Sequence, residues 1–107
     1  MLFRSLQVAR ESLQKTEKWL KYYENLDNYY RQVWRNRGVP DHFQDFWLLG
    51  ACDDFAYSAG GFLAHSKTLT IPVRAIGGDV MTIRHRILSP IDGQKYRPDK
   101  AGLGAYP

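Results

Sequence analysis

An α+β fold is expected of these 107 residues. Apolar side chains recur at helical spacing through the first third, alternate at period two between Thr68 and Leu88, and then give way to a basic, glycine-punctuated tail. Charge divides the chain in the same way. The first 60 residues carry eight Lys/Arg and eight Asp/Glu, the last 47 carry seven against three, and so the formal charge of +4 lies in the C-terminal part. Such a surface fits a phosphate-bearing partner, and it equally fits an ordinary solvated face.

From Leu6 to Trp34, the residues Leu6, Ala9, Leu13, Trp19, Leu20, Tyr23, Leu26, Tyr30 and Val33 share one helical face, and no glycine or proline interrupts them. One long helix over about residues 5–36, or two in succession, is expected, with Arg35, Arg37 and Gly38 forming a basic last turn and a stop. A single helix over 6–34 would be about 43 Å long, more than a chain of this size readily covers. Four tyrosines, at 22, 23, 29 and 30, offer a stacking ladder, but Tyr23 and Tyr30 fall on the apolar stripe and are expected in the core. Pro40 then starts a second helix over about 40–49, with Phe43, Phe46, Trp47 and Leu49 as its apolar face. Residues 51–67, which hold Gly60-Gly61 and the adjacent Asp53-Asp54, show no clear period and read as a loop with one short strand.

The strands of a hairpin follow at about 68–75 and 80–88. A two-residue turn at Gly77-Gly78 would set Ile71 opposite Arg84 and mix apolar with basic positions, so a three-residue loop pairing Val73 with Ile83 and Ile71 with His85 is expected instead. Arg74, Arg84 and Arg86 would then share the polar face, the last two about 7 Å apart, which resembles the spacing of successive phosphates. Pro72 marks an edge or a bulge. His85 falls on the apolar face, where a hydrogen-bonded core residue is the expected role. Beyond the Ser89-Pro90 and Asp92-Gly93 turns, Lys95-Tyr96-Arg97 sets two cations around an aromatic ring, in a basic loop or a short strand.

Composition excludes several classes. Cys52 is the sole cysteine, so no internal disulfide and no cysteine-rich zinc site can form, and a reducing compartment, the cytoplasm, is expected. No apolar run reaches the length a membrane span requires. Cys52, His42, His65 and His85 lack the usual zinc-ligand spacing, and no Ser/His/Asp or Cys/His arrangement has suggestive spacing.

Taken in order, RGVPDHFQDFWLLG, TLTIPVRAIGGDVMTIRHRILSP and GQKYRPDKAGLG resemble the segment that precedes the polymerase core, the hairpin and the Lys-Tyr loop of bacterial- and phage-type DNA primases. The resemblance covers about residues 35–104. It implies a helical segment at 1–37 and, at 38–107, a small α+β subdomain that forms the N-terminal part of the RNA-polymerase core preceding the Toprim module, the two making one compact unit. Template- and nucleotide-binding roles are carried onto Arg84, Arg86, Lys95 and Tyr96, with Arg74 and Arg97 beside them. The family's metal-holding glutamate and Asp-x-Asp pair have no counterpart here, so no catalytic or metal-binding residue is expected. Mg2+ belongs to the complete enzyme. The implied partners are single-stranded DNA template and nucleotides, with a replicative helicase contacted through regions outside the chain. With MLFRS resembling adapter sequence and Pro107 standing where a primase would continue, a fragment of a longer reading frame is expected. The alternatives are a standalone phage nucleic-acid-binding module and a protein-interaction domain.

Overall fold

The computed structural model describes residues 11–90 and 93–99. The expected helix start with Leu6 and Ala9, the Asp92 turn position, and Gly102 and Gly104 lie outside the described residues. The fold is α+β. Helix α1, described over residues 11–16, α2 (Lys18–Glu24), α3 (Asn28–Asn36) and α4 (Asp41–Phe46) precede β1 (Gly50–Ala59), β2 (Phe62–Arg74), β3 (Val80–Ile87) and β4 (Tyr96–Pro98). The strands form one antiparallel meander in the order β1-β2-β3-β4.

The expected long helix is broken twice. Glu17 takes a left-handed φ of 49° between α1 and α2, and Asn25 to Asp27 separate α2 from α3. Two side-chain hydrogen bonds, one to β1 and one local, make the second break without glycine or proline. Asn25 donates to the Ala51 carbonyl at 3.2 Å, and the Asp27 carboxylate caps α3 by accepting from the Tyr30 N–H at 3.0 Å. Breaking the helix lets its pieces turn to opposite faces of the sheet.

Residues 51–67 form most of a second hairpin, not the expected loop. Gly60 and Gly61, at φ 59° and 87°, make a two-residue turn that pairs Ala59 with Phe62. Thr68 aligns with Cys52, and Ser66 with Phe55, so a bulge sets both Asp53 and Asp54 against Lys67. The bulge obscured the period in the sequence, because one face of β1 passes from the even positions Gly50 and Cys52 to the odd positions Phe55, Tyr57 and Ala59.

The β2–β3 register also differs from the expected one. Ile71 pairs with Arg84, Thr70 with His85 and Leu69 with Arg86, which is the register that the apolar pattern argued against. That pattern argument assumed one covered face, whereas both faces are covered. On the first, Ala51 and Leu69 pack with Tyr30, Trp34 and Leu49, and Ile71 lies against them. On the second, Ile83 and Val80 pack with Leu13 and Trp19, while Ile87 joins Phe55, Tyr57, Ala59 and Ala64. Leu69 and Ile71 of β2 therefore face α3, and Val80 and Ile83 of β3 face α1 and α2. Pro72 lies beyond the last β1 partner of β2, Thr70, where the strand has a single neighbour, and a bulge follows between Val73 and Arg74.

Helix α4 presents its aromatics outward. Gln44 is fully buried and donates to the Val39 carbonyl at 2.9 Å, whereas Phe43, Phe46 and Trp47 are 49%, 72% and 53% exposed. The expected apolar face on α4 is thus a solvent face, and only Leu49, past the helix end, enters the core. Tyr30 is buried as expected. Tyr23 is half-buried, and its hydroxyl donates to Asp45 at 2.8 Å.

Candidate nucleic-acid interface

Arg84 and Arg86 sit two residues apart on β3, so both project to the α3 side of the sheet, beside Ile71 and Leu69. Strand β4 brings Tyr96 opposite Arg86. The Arg86 guanidinium lies over the Tyr96 ring, 5.5 Å from its centroid, and donates to the Ile87 carbonyl at 2.6 Å. Tyr96 is 47% exposed at this last strand of the sheet. Lys95 is exposed beside it, its backbone carbonyl accepting from the Ile87 N–H at 2.7 Å.

The other two predicted cations lie elsewhere. Arg74 does not share the face of Arg84 and Arg86: it pairs with Val80 beyond the bulge and donates to the Gly78 carbonyl at 3.0 Å. Arg97 pairs with His85 on the opposite face and lies over the Tyr57 ring at 5.1 Å. The structure therefore brings together Arg84, Arg86 and Tyr96, with Lys95 alongside, and separates Arg74 and Arg97 from them.

Two further residues extend the cluster. Lys67 continues the alternation of Leu69 and Ile71, so it belongs to the same face, and its ammonium lies over the Tyr29 ring at 5.1 Å. Tyr29 is 55% exposed on α3. The alternation upstream of Leu69 was a visible signal for Lys67. Tyr29 belonged to the stacking ladder read from the four tyrosines, and it lies off the apolar stripe that buries its neighbour Tyr30. The face thus bears two exposed tyrosines, each beneath a cation.

Asp99, which sequence reasoning passed over, fixes this edge in place. Its carboxylate accepts from His85 Nε2 at 2.7 Å and from the Tyr22 hydroxyl at 2.7 Å, and pairs with Lys18 Nζ at 2.9 Å. Its backbone N–H donates to the Ile83 carbonyl at 2.8 Å. Burial raises its pKa, but the hydrogen bonds from His85, Tyr22 and Lys18 outweigh burial and hold the carboxyl well below its ordinary value. Burial, reinforced by the hydrogen bond to Asp99, pushes the Tyr22 phenol far upward. A carboxylate only accepts, so Nε2 of His85 carries a hydrogen, while Nδ1 meets the Thr68 hydroxyl at 2.7 Å. Phe55 stacks on the imidazole at 3.7 Å. The Thr68–His85–Asp99 chain has the connectivity of a hydroxyl–imidazole–carboxylate relay. Thr68 and His85 are both 0% exposed, however, so no substrate reaches the hydroxyl and the relay serves as an anchor, with His85 in its expected core role.

The acids nearest the interface are engaged too. Asp53 accepts from the Tyr30 hydroxyl at 2.6 Å, and Asp54 pairs with His65 at 2.8 Å. Among the described residues no three metal-ligating side chains converge. No helix of the described residues is long and apolar enough to cross a membrane. Comparison with known proteins finds no matching family model, no matching curated protein and no matching solved structure.

Proposed function

We propose that this chain is the template- and nucleotide-binding part of a bacterial- or phage-type DNA primase, acting in the cytoplasm on single-stranded DNA. The observation that carries the reading is the convergence of Arg84, Arg86 and Tyr96 on one sheet edge with Lys95 exposed beside them. Cations there would take template or triphosphate oxygens, and Tyr96 would stack on a base. The motif resemblance over residues 35–104 supports the primase assignment in particular. In such an enzyme, metal-bound carboxylates outside this chain would carry phosphoryl transfer, and these residues would position the strands.

The test is a titration of the chain with fluorescent oligothymidine at several salt concentrations. Three phosphate contacts, from Arg84, Arg86 and Lys95, give log K against log salt a slope of about −2. Arg84→Ala and Lys95→Ala are each expected to reduce that slope by about 0.7. Absence of binding at low salt, or unchanged slopes in both variants, would overturn the reading.

A second reading, a protein-interaction domain, rests on the exposed Phe43, Phe46 and Trp47 of α4. Self-association that Trp47→Ser abolishes, without DNA binding, would favour it instead.

A further inference from the structure

The Tyr29–Lys67 pair lies outside every segment that carries the primase resemblance to the Lys-Tyr loop, yet it repeats the chemistry of the Tyr96–Arg86 pair on the same face. Each pair sets a cation over a roughly half-exposed tyrosine, at 5.1 Å and 5.5 Å from the ring centroids. Leu69 pairs with Arg86, so Lys67 is two residues along β2 and one strand across. Those displacements put the Lys67 and Arg86 backbones about 8 Å apart, close to the span of one nucleotide step.

We propose that Tyr29 and Lys67 form a second base-stacking subsite for single-stranded nucleic acid, so that one strand crossing the sheet edge rests bases on both Tyr29 and Tyr96. This inference rests on the proposed nucleic-acid function and names the ligand form that the face accepts. The pair fits a single strand because a tyrosine face stacks on an unpaired base, which a duplex keeps inside its own stack. The flanking cation meets the backbone while the ring holds the base. Both tyrosines are carried on regular elements: Tyr29 sits in the first turn of α3, whose cap bond from the Tyr30 N–H to Asp27 holds that turn. The subsite is not uniformly positive. Asp53, which Tyr30 and Asn25 hold below its ordinary carboxyl value, also feels Lys67, so ring stacking carries the proposal more than net charge does.

Removing one stacked base from an aromatic platform costs roughly 5- to 150-fold in affinity. Tyr29→Ala is therefore expected to weaken oligothymidine binding within that range, while Tyr29→Trp, which keeps a stacking face, retains it. Lys67→Ala is expected to lower the salt slope by about 0.7. Circular dichroism and thermal melting confirm that each variant is folded, and Tyr29→Leu checks that loss follows the ring and not the exposed volume. Wild-type binding with a normal response to Tyr96→Ala but none to Tyr29→Ala would overturn this inference and leave the functional reading standing. No binding by the wild type would overturn that reading and this inference together. Duplex DNA bound as tightly as the single strand would overturn the stacking assignment.

Discussion

Asp99 anchors the edge on which Tyr96 and Lys95 sit, because three groups converge on a side chain only 10% exposed and its backbone N–H donates to the Ile83 carbonyl. Its carboxyl is held below its ordinary value of 3.8, which fixes the sign of the acid response. A carboxyl with a depressed folded value contributes stability in full above the unfolded value and loses it as pH falls toward the folded one. Melting temperature is therefore expected to fall on acidification below about pH 4. Asp99→Asn keeps the shape but removes the charge, so it is expected to cost about 1.5–3 kcal/mol at neutral pH. The variant's melting temperature should also change less between pH 5 and pH 2, and an undiminished acid response would show that another carboxylate governs it. Asp41 and Asp45 are held low as well, by Arg35 in the first case and by Tyr23 and Arg31 in the second. Both are solvent-screened surface partners and contribute little by comparison.

Strand β1 reaches its place by lying against the backbone of α2. A Cβ on Gly50 would stand within 2.6 Å of the Tyr22 carbonyl oxygen and the Tyr23 nitrogen, so only glycine allows this contact. Gly50→Ala is expected to cost about 1–3 kcal/mol in chemical denaturation, whereas Gly77→Ala, with nothing within 4 Å, is expected to be silent and serves as control. The Leu-Gly of the sequence was legible as a helix stop. Its second role, a close crossing of strand on helix, depends on Tyr22 and Tyr23, far upstream in the chain, and left no local trace. The same limit explains β1 as a whole: alternation resumes on the other parity after the Asp53-Asp54 bulge, and a period search across 51–67 averages the two halves away. Lys95-Tyr96-Arg97 stood out because cations and ring are adjacent in sequence, but strand alternation turns Arg97 to the opposite face, over Tyr57. Arg74 was misplaced because the register that pairs Ile71 with Arg84 puts the arginines of β3 with the odd positions of β2, opposite Arg74.

At the scale of the molecule, a sheet covered on both sides explains why Arg84 and Arg86 can stand next to apolar neighbours. Leu69 and Ile71 bury against α3 only over the β1–β2 side, and toward β4 that face is left to the two arginines and Tyr96. The helices thus define the interface by where they stop. Among the described residues three buried clusters follow from this arrangement, and Leu69 and Ile83, each at most 1% exposed, belong to different ones on opposite faces. Side chains in separate cores with no shared partner should act independently, while those in one core should couple. Leu69→Ala alone is expected to cost about 2–5 kcal/mol and Ile83→Val about 0.5–1.5 kcal/mol, with the double variant equal to their sum within about 0.5 kcal/mol. Leu69→Ala with Val33→Ala, one facing α3 and the other on it in the same cluster, is expected to depart from additivity by at least about 0.5 kcal/mol. Urea denaturation of the three single and two double variants measures both quantities. Coupling between Leu69 and Ile83 as strong as that between Leu69 and Val33 would mean that the two residues share one face, which is the arrangement the alternation alone implied.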